Sequence, residues 1–133
     1  MIGLVVVTHS RLAEEFLSAS EMILGPLKNA RPVCIDKANS VEQIRRGIVA
    51  AMQAVDPEGQ GVVIMTDLFG GTPANISISF LDPGRVEVVT GVNLPMVLKF
   101  FNYQKGLPLA ELSNLLKTYG QQSISLASDF LPH

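Results

Sequence analysis

Only two histidines occur in this chain of 133 residues, and one of them, His9, directly follows a short apolar run. A neutral imidazole is nucleophilic near physiological pH, and histidine side chains form covalent intermediates in group transfer. His133 is the last residue, where chains are usually poorly ordered, so we expect no function for it. His9 is therefore the first candidate for chemistry. The competing interpretation is a histidine that caps a strand or packs under a loop.

A carboxylate follows another apolar run in the same way. Asp67 comes directly after the run that ends at Thr66. If the two runs are neighbouring parallel strands, their carboxyl ends place His9 and Asp67 within reach of each other. A carboxylate that accepts a hydrogen bond from one imidazole nitrogen leaves the other nitrogen bare and oriented, which makes a nucleophile. The alternative for Asp67 is a helix cap or a turn.

Two glycines and a threonine lie just beyond this aspartate. Gly70 and Gly71 allow a close backbone approach and positive φ, and Thr72 before Pro73 predicts a helix N-cap followed by proline at the first helical position. Free N–H groups at a helix N-terminus favour an anion. Because the segment has no lysine or arginine, an anion there would be held mainly by backbone donors. A plain tight turn is the alternative, and no Gly-Lys-Ser/Thr follows as in a P-loop.

The elements that must position these residues alternate between strands and helices. Short β-branched runs that are apolar on both faces predict buried parallel strands at residues 2–7, 31–36, 61–66 and 86–90, and a weaker alternating pattern predicts an edge strand at Ser123 to Ala127. Helical patterns cover residues 12–23, 40–55 with a Ser40–Gln43 capping box, 72–80, 95–102 and 108–119. The fold class is therefore α/β, a doubly wound, mainly parallel sheet flanked by helices. Ligands bind at the carboxyl ends of such strands, here residues 8–10, 37–40, 67–72 and 91–95.

Composition excludes several classes of protein. Apolar residues make up 47 % and charged residues 17 %, and the net charge is −2, which predicts one globular domain over 1–133 and no nucleic-acid partner. A single cysteine, Cys34, excludes an internal disulfide, and we expect neither a metal site nor a cofactor. Without a signal peptide or an apolar run of about 20 residues, the expected location is cytoplasmic. A response-regulator receiver needs an acidic pair after its first strand, where this chain has Thr8 and His9.

Three segments resemble the enzyme IIA domain of the mannose family of the bacterial sugar phosphotransferase system. They are Val-Val-Val-Thr-His-Ser at 5–10, Thr-Asp-Leu-Phe-Gly-Gly-Thr-Pro-Ala-Asn at 66–75 and Gly-Val-Asn-Leu-Pro-Met at 91–96. The resemblance implies that His9 accepts a phosphoryl group from the phosphohistidine of HPr and passes it to a IIB component. It also implies that Asp67 orients His9, and that Gly70, Gly71 and Thr72 hold the phosphoryl group.

The same resemblance implies the partners. The IIB component would be a separate chain, and IIB would phosphorylate sugar entering through a membrane complex of IIC and IID components. Members of the family are homodimers that exchange a C-terminal strand, for which Ser123 to Ala127 is the candidate here. HPr would dock over apolar residues near the site, and the candidates are Phe69, Leu94 and Met96, with core packing as the alternative for all three.

Other functions stay open on sequence grounds. The chain could be a regulatory phosphoacceptor whose phosphorylation state controls a kinase or a transcription factor, because that role also uses His9. The phosphotransferase subunit of dihydroxyacetone kinase is similar in Thr-His-Ser, but we do not expect it to carry Asp-Leu-Phe-Gly-Gly-Thr-Pro. A ligand-binding domain with an inert His9 is a third, non-enzymatic possibility. Neighbouring genes for IIB, IIC and IID components would favour transport over regulation.

Overall fold

Four parallel strands form one sheet in the order β2-β1-β3-β4. The computed structural model describes residues 1–132, so the prediction for His133 lies outside the described residues. The strands are β1 (Gly3–His9), β2 (Ala30–Ile35), β3 (Val62–Thr66) and β4 (Val86–Thr90). The helices are α1 (Leu12–Leu24), α2 (Val41–Val55), α3 (Gly71–Ile78), α4 (Leu94–Tyr103) and α5 (Leu109–Gln122), followed by a short 3₁₀ helix (Ala127–Phe130). The predicted α/β fold is confirmed.

Helices cover both faces of the sheet, as the strand composition requires. β1 and β3 are buried along residues 3–8 and 62–66, so side chains on both of their faces must meet apolar partners. On one face, Leu4 and Met65 pack with α1, α4 and α5, where Phe100 is a fully buried member of the cluster. On the other face, Val5 and Ile64 pack with α2 and α3. Within residues 1–132, none of the helices combines the length and the apolar character needed to cross a membrane.

The register of the sheet brings the ends of three strands together. His9 at the end of β1 pairs with Ile35 at the end of β2, and Val7 pairs with Thr66 at the end of β3. Strands one and three are therefore neighbours, as the proximity of His9 and Asp67 requires. β4 lies beside β3, with Thr66 opposite Thr90, and forms one edge of the sheet.

The predicted start of α3 is wrong by two residues. The helix begins at Gly71 with Gly70 as its N-cap, whereas the sequence predicted Thr72 as the N-cap. Gly70 and Gly71 have φ values of 86° and 80°, which glycine adopts without a steric penalty. The helix therefore begins at the glycines, and the hydroxyl of Thr72 does not cap it. Pro73 consequently becomes the third helical residue instead of the first.

The predicted edge strand at Ser123 to Ala127 does not form in the single chain. α5 continues to Gln122, and the N–H and hydroxyl of Ser123 both donate to the carbonyl of Tyr119, at 3.0 Å and 2.6 Å. Alternating polarity predicts two faces but supplies no partner strand, and a strand is stable only where ladder hydrogen bonds form. Ile124 and Leu126 are exposed at 79 % and 65 %. Exchange of this segment between two copies stays a prediction.

Candidate functional site

His9 is bonded to Asp67 through two separate contacts. The ring nitrogen Nδ1 of His9 lies 2.9 Å from Oδ2 of Asp67, and the backbone N–H of His9 donates to the same oxygen at 3.0 Å. An ionised carboxylate only accepts hydrogen bonds, so this contact favours the tautomer with the proton on Nδ1. Nε2 is then left with its lone pair free. The predicted pairing of the two residues is present in the structure.

The two members of this pair differ in exposure. The side chain of His9 is 51 % exposed, whereas that of Asp67 is 12 % exposed. The second carboxylate oxygen of Asp67, Oδ1, is buried and makes no hydrogen bond to the described residues. Burying a carboxylate is costly, and the bonds from His9 are what offset that cost here. The arrangement therefore presents the imidazole to a partner while its orienting group stays inside.

The turn between β1 and α1 fixes the backbone on either side of His9. The hydroxyl of Thr8, which is fully buried, accepts the backbone N–H of Ala13 at 2.7 Å. Ser10 donates its N–H to the carbonyl of Ile35 at 2.7 Å and has a φ of 53°, in the left-handed region that non-glycine residues rarely adopt. This strained turn holds His9 at the carboxyl end of β1.

Gly71 lies against the free edge of the imidazole. A Cβ atom added to Gly71 would be 3.6 Å from Cε1 and 3.9 Å from Nε2 of His9, whereas one added to Gly70 would meet nothing within 4 Å. No side chain caps the start of α3, and its first turn contains no acidic residue. The first N–H groups of a helix have no partner within the helix and carry its positive dipole end. An anion on Nε2 would therefore lie close to the start of α3.

A cleft opens beside His9. It encloses about 490 Å³ and has a floor of Ile35 and Ile44, with Thr72 and Ser10 on its rim together with the residues that follow β2. Of the four predicted strand-end segments, those at 8–10, 37–40 and 67–72 contribute residues to the cleft or to the histidine pair. The involvement of Ile44 from α2 was not predicted, because its helical spacing is that of a core residue.

The fourth strand-end segment supports the site from behind. The N–H groups of Gly91 and Val92 both donate to the carbonyl of Thr66 at 3.0 Å, directly before Asp67. Asn93 accepts the N–H of Met96 and donates to the carbonyl of Gly120, which ties this loop to α5. Residues 91–95 therefore brace β3 and do not line the cleft.

Two of the three predicted docking residues keep that role open. Phe69 is 84 % exposed, and Leu68 beside it, which was not singled out from the sequence, is 55 % exposed. Leu94 is partly buried. Met96 of α4 is only 3 % exposed and packs in the core against α5, so its prediction as a docking residue is wrong. Helical spacing places Met96 on the apolar face of α4, where burial prevails.

The arrangement can perform nucleophilic group transfer to an anionic group. Nε2 is free to act as a nucleophile, and Asp67 can stabilise positive charge on the ring. The start of α3 lies beside the imidazole, and the N–H groups of a helix N-terminus favour negative oxygens. Among residues 1–132, no group of three or more His, Cys, Asp and Glu side chains lies close enough to hold a metal ion.

Comparisons with known proteins identify the family of this chain. A family model described as "PTS system fructose IIA component", where PTS is the phosphotransferase system, matches residues 3–116. The fructose-specific EIIA component of Bacillus subtilis is 31 % identical over 132 residues, covering 98 % of this chain and 90 % of that protein. The sorbose-specific EIIA component of Lacticaseibacillus casei is 31 % identical over 126 residues, covering 93 % and 90 %. The mannose/sorbose-specific IIA subunit from Enterococcus faecalis superposes with a TM-score of 0.85 at 26 % identity, covering 98 % and 96 %.

Proposed function

This chain belongs to the mannose-family enzyme IIA components of the sugar phosphotransferase system, and from that membership we propose that His9 carries the phosphoryl group. HPr is the donor, and a separate IIB chain is the acceptor. The protein works in the cytoplasm and associates through IIB with a membrane complex of IIC and IID components. The observation that carries the proposal is the Nδ1–Asp67 bond, which leaves Nε2 of a half-exposed imidazole free.

Transfer proceeds in line between two histidines. The lone pair of Nε2 of His9 attacks phosphorus, and the bond between phosphorus and the imidazole nitrogen of HPr breaks, so that the donor ring leaves with that electron pair. The proton on Nδ1 stays in place, and Asp67 stabilises the imidazolium charge that forms. The N–H groups at Gly71 and Thr72 stabilise the oxygens of the phosphoryl group during transfer, so catalysis depends on positioning and electrostatics.

The exposed apolar residues beside the site form the docking surface for HPr. Leu68 and Phe69 lie within three residues of Asp67, and the ring of Phe69 stands almost entirely in solvent. An exposed aromatic side chain gives a partner a large apolar contact, and interface energy concentrates in such residues. Because donor and acceptor bind the same histidine in turn, HPr and IIB share this surface.

The active form is a homodimer in which each copy adds its C-terminal segment to the sheet of the other. The outer edge of β4 pairs with no strand among residues 1–132, and a groove of about 340 Å³ runs along it, lined by Val88 and Val89 of the strand and by Ser113 and Lys117 of α5. The hydroxyl of Ser113 is buried and has no hydrogen-bond partner in the described chain. An added strand would satisfy the open edge, and the alternating segment Ser123 to Ala127 supplies one.

The test is phosphoryl transfer from a defined donor chain. The protein is mixed with phosphoenolpyruvate, enzyme I and HPr, and its intact mass is recorded at alkaline pH. The expected result is one phosphoryl group per chain, lost on acid treatment, in the wild type and none in His9→Ala or His9→Gln. An unmodified wild type, or equal modification of the variants, would contradict the proposal.

A further inference from the structure

One cation lines the cleft beside His9. Lys37, the second residue after β2, borders the same cavity as His9 and Thr72 and is exposed. Among residues 1–132, no carboxylate lies within ion-pair distance of its ammonium group, whereas Arg11, the other cation near the histidine in sequence, is paired with Glu14 at 2.6 Å. The charge of Lys37 is therefore free to act on something in the cleft.

The loop that carries Lys37 is held in place by its own polar groups. Oδ1 of Asp36 accepts the N–H of Ala38 at 2.7 Å, and the N–H of Asp36 donates to Oδ1 of Asn39 at 2.9 Å. These bonds close the loop around Lys37 and commit the carboxylate of Asp36 to the backbone. Among the described residues, the carboxylate of Asp36 forms no ion pair with Lys37.

The sheet register places this loop alongside the histidine. His9 pairs with Ile35, and neighbouring strands lie about 5 Å apart, so the residues following Ile35 run beside the residues following His9. The hydrogen bond from Ser10 to the carbonyl of Ile35 keeps the two chain ends together after the strands finish. A lysine side chain is long enough to cross that separation.

We propose that the ammonium group of Lys37 binds the phosphoryl oxygens carried on Nε2 of His9, opposite the backbone donors of α3. This inference rests on the proposed phosphorylation of His9. A phosphoryl group on Nε2 brings up to two negative charges, and the start of α3 offers it only neutral donors. One exposed, flexible cation adds attraction that is modest in solvent, so the group is favoured and can still leave.

Lys37 therefore affects the charge state and the equilibrium of the phosphorylated protein. A nearby cation favours the dianionic phosphoryl group, so Lys37→Met raises the pH midpoint of its ³¹P titration by about 0.3 to 0.6 pH units. Loss of the same attraction shifts the transfer equilibrium with HPr about two- to five-fold towards phospho-HPr. The other charged or titratable side chains that line the cleft or bond to its histidine are His9, Asp36 and Asp67, and the Arg11–Glu14 pair follows His9 in sequence. None of these side chains changes in the variant.

The experiment uses a donor that has no docking surface. Wild type, Lys37→Met, Lys37→Arg and the control Lys28→Met are phosphorylated with phosphoramidate, whose P–N bond breaks as ammonia leaves. Where this small donor gives no adduct, phospho-HPr is used. Lys28 is an exposed lysine that precedes β2, at the amino end of the strands, so its loss makes the same change in net charge far from His9. The ³¹P midpoint and the equilibrium with HPr are measured for each.

In Lys37→Met, the expected result is a higher pH midpoint of the ³¹P titration and a transfer equilibrium shifted towards phospho-HPr. Lys37→Arg and Lys28→Met should be close to wild type in both measurements. Equal midpoints in phosphorylated wild type and Lys37→Met would overturn the role of Lys37 and leave the proposed function standing. A change only in the rate of transfer from HPr would also overturn it, because Lys37 would then contact the partner. Failure of wild type to gain a phosphoryl group from either donor would instead overturn the proposed function, and this inference with it.

Discussion

A single carboxylate oxygen of Asp67 holds His9 by its ring and by its backbone, and both bonds leave Nε2 free. The pairing of the two residues could be predicted from the sequence, because each lies at the carboxyl end of a buried apolar run. The second bond, to the backbone of His9, could not, since it depends on the register between β1 and β3. The position of Gly71 beside the imidazole could not be predicted from the sequence either, because it depends on the φ values of two glycines.

Replacing Asp67 by asparagine tests the orienting role at the scale of one atom. An amide oxygen still accepts a hydrogen bond but no longer carries the charge that stabilises an imidazolium. We expect phosphoryl transfer from HPr to slow by about 10- to 100-fold. The free energy of unfolding should change by about 1 kcal/mol or less. Rapid-quench kinetics and urea denaturation measure the two quantities.

The matched control is Asp82→Asn, which alters an exposed aspartate 3.7 Å from Arg85 and away from the histidine. Its transfer rate should equal that of the wild type. Unchanged transfer in Asp67→Asn would remove Asp67 from the mechanism.

The two glycines before Thr72 allow a paired test of whether this loop holds the phosphoryl group. Gly70 and Gly71 both have positive φ, 86° and 80°, so an alanine strains the backbone at either position, and each variant should cost about 1 to 3 kcal/mol of stability. Only the methyl group of Gly71→Ala would meet His9. We expect Gly71→Ala to lower the transfer rate at least about tenfold more than Gly70→Ala, because its methyl group would stand beside Nε2, where the proposed phosphoryl group must fit. Equal rates in the two variants, measured in the same HPr assay, would argue against that role of the loop.

At the scale of elements, the spacing of apolar residues predicted which segments are strands and which are helices better than it predicted where they begin and end. The β-branched runs gave all four strands of the sheet, and the spacing of apolar residues gave all five helices, because burial on a sheet face or a helix face leaves a regular pattern. The start of α3 shifted because glycine conformations replaced a side-chain cap. The prediction of a strand at Ser123 to Ala127 was wrong for the single chain, because this segment pairs with no other strand there. The alternating pattern of the segment does not show whether a partner strand lies beside it.

The capping box of α2 is a local prediction that the structure confirms. Ser40 accepts the N–H of Gln43 at 3.1 Å, and the side chain of Gln43 accepts the N–H of Ser40 at 2.8 Å. Ser40→Ala should lower the free energy of unfolding by about 1 kcal/mol. Urea denaturation checks this, with Ser125→Ala as the control outside any helix. A loss no larger than that of the control would mean that the cap contributes nothing to stability.

At the scale of the whole molecule, the strand order decides what can meet. With β1 and β3 central, their carboxyl ends gather His9, Asp67 and the start of α3 at one edge, and β2 adds the loop containing Lys37. The rule for parallel sheets predicted this edge from alternation alone. It could not predict which helix closes the cleft or which apolar side chains stay in solvent, because those depend on packing between elements distant in sequence.

The proposed strand exchange is testable through the alternation of the C-terminal segment. Leu126→Asp places a charge on the apolar set of this segment, and Ser125→Asp places the same charge on the polar set next to it. A charge buried against the β4 groove is unfavourable, so we expect Leu126→Asp to raise the dimer dissociation constant at least about tenfold. Ser125→Asp should change it little. Sedimentation equilibrium measures both, and a wild type that is monomeric throughout would contradict the exchange.

The central claim is that Nε2 of His9, held by Asp67 through Nδ1, receives the phosphoryl group. The most direct measurement is NMR spectroscopy of protein labelled with ¹⁵N at histidine and phosphorylated by HPr, in which ³¹P–¹⁵N coupling identifies the nitrogen bonded to phosphorus. We expect phosphorus on Nε2 of His9 with the proton retained on Nδ1. Phosphorus on Nδ1, or on any residue other than His9, would contradict it.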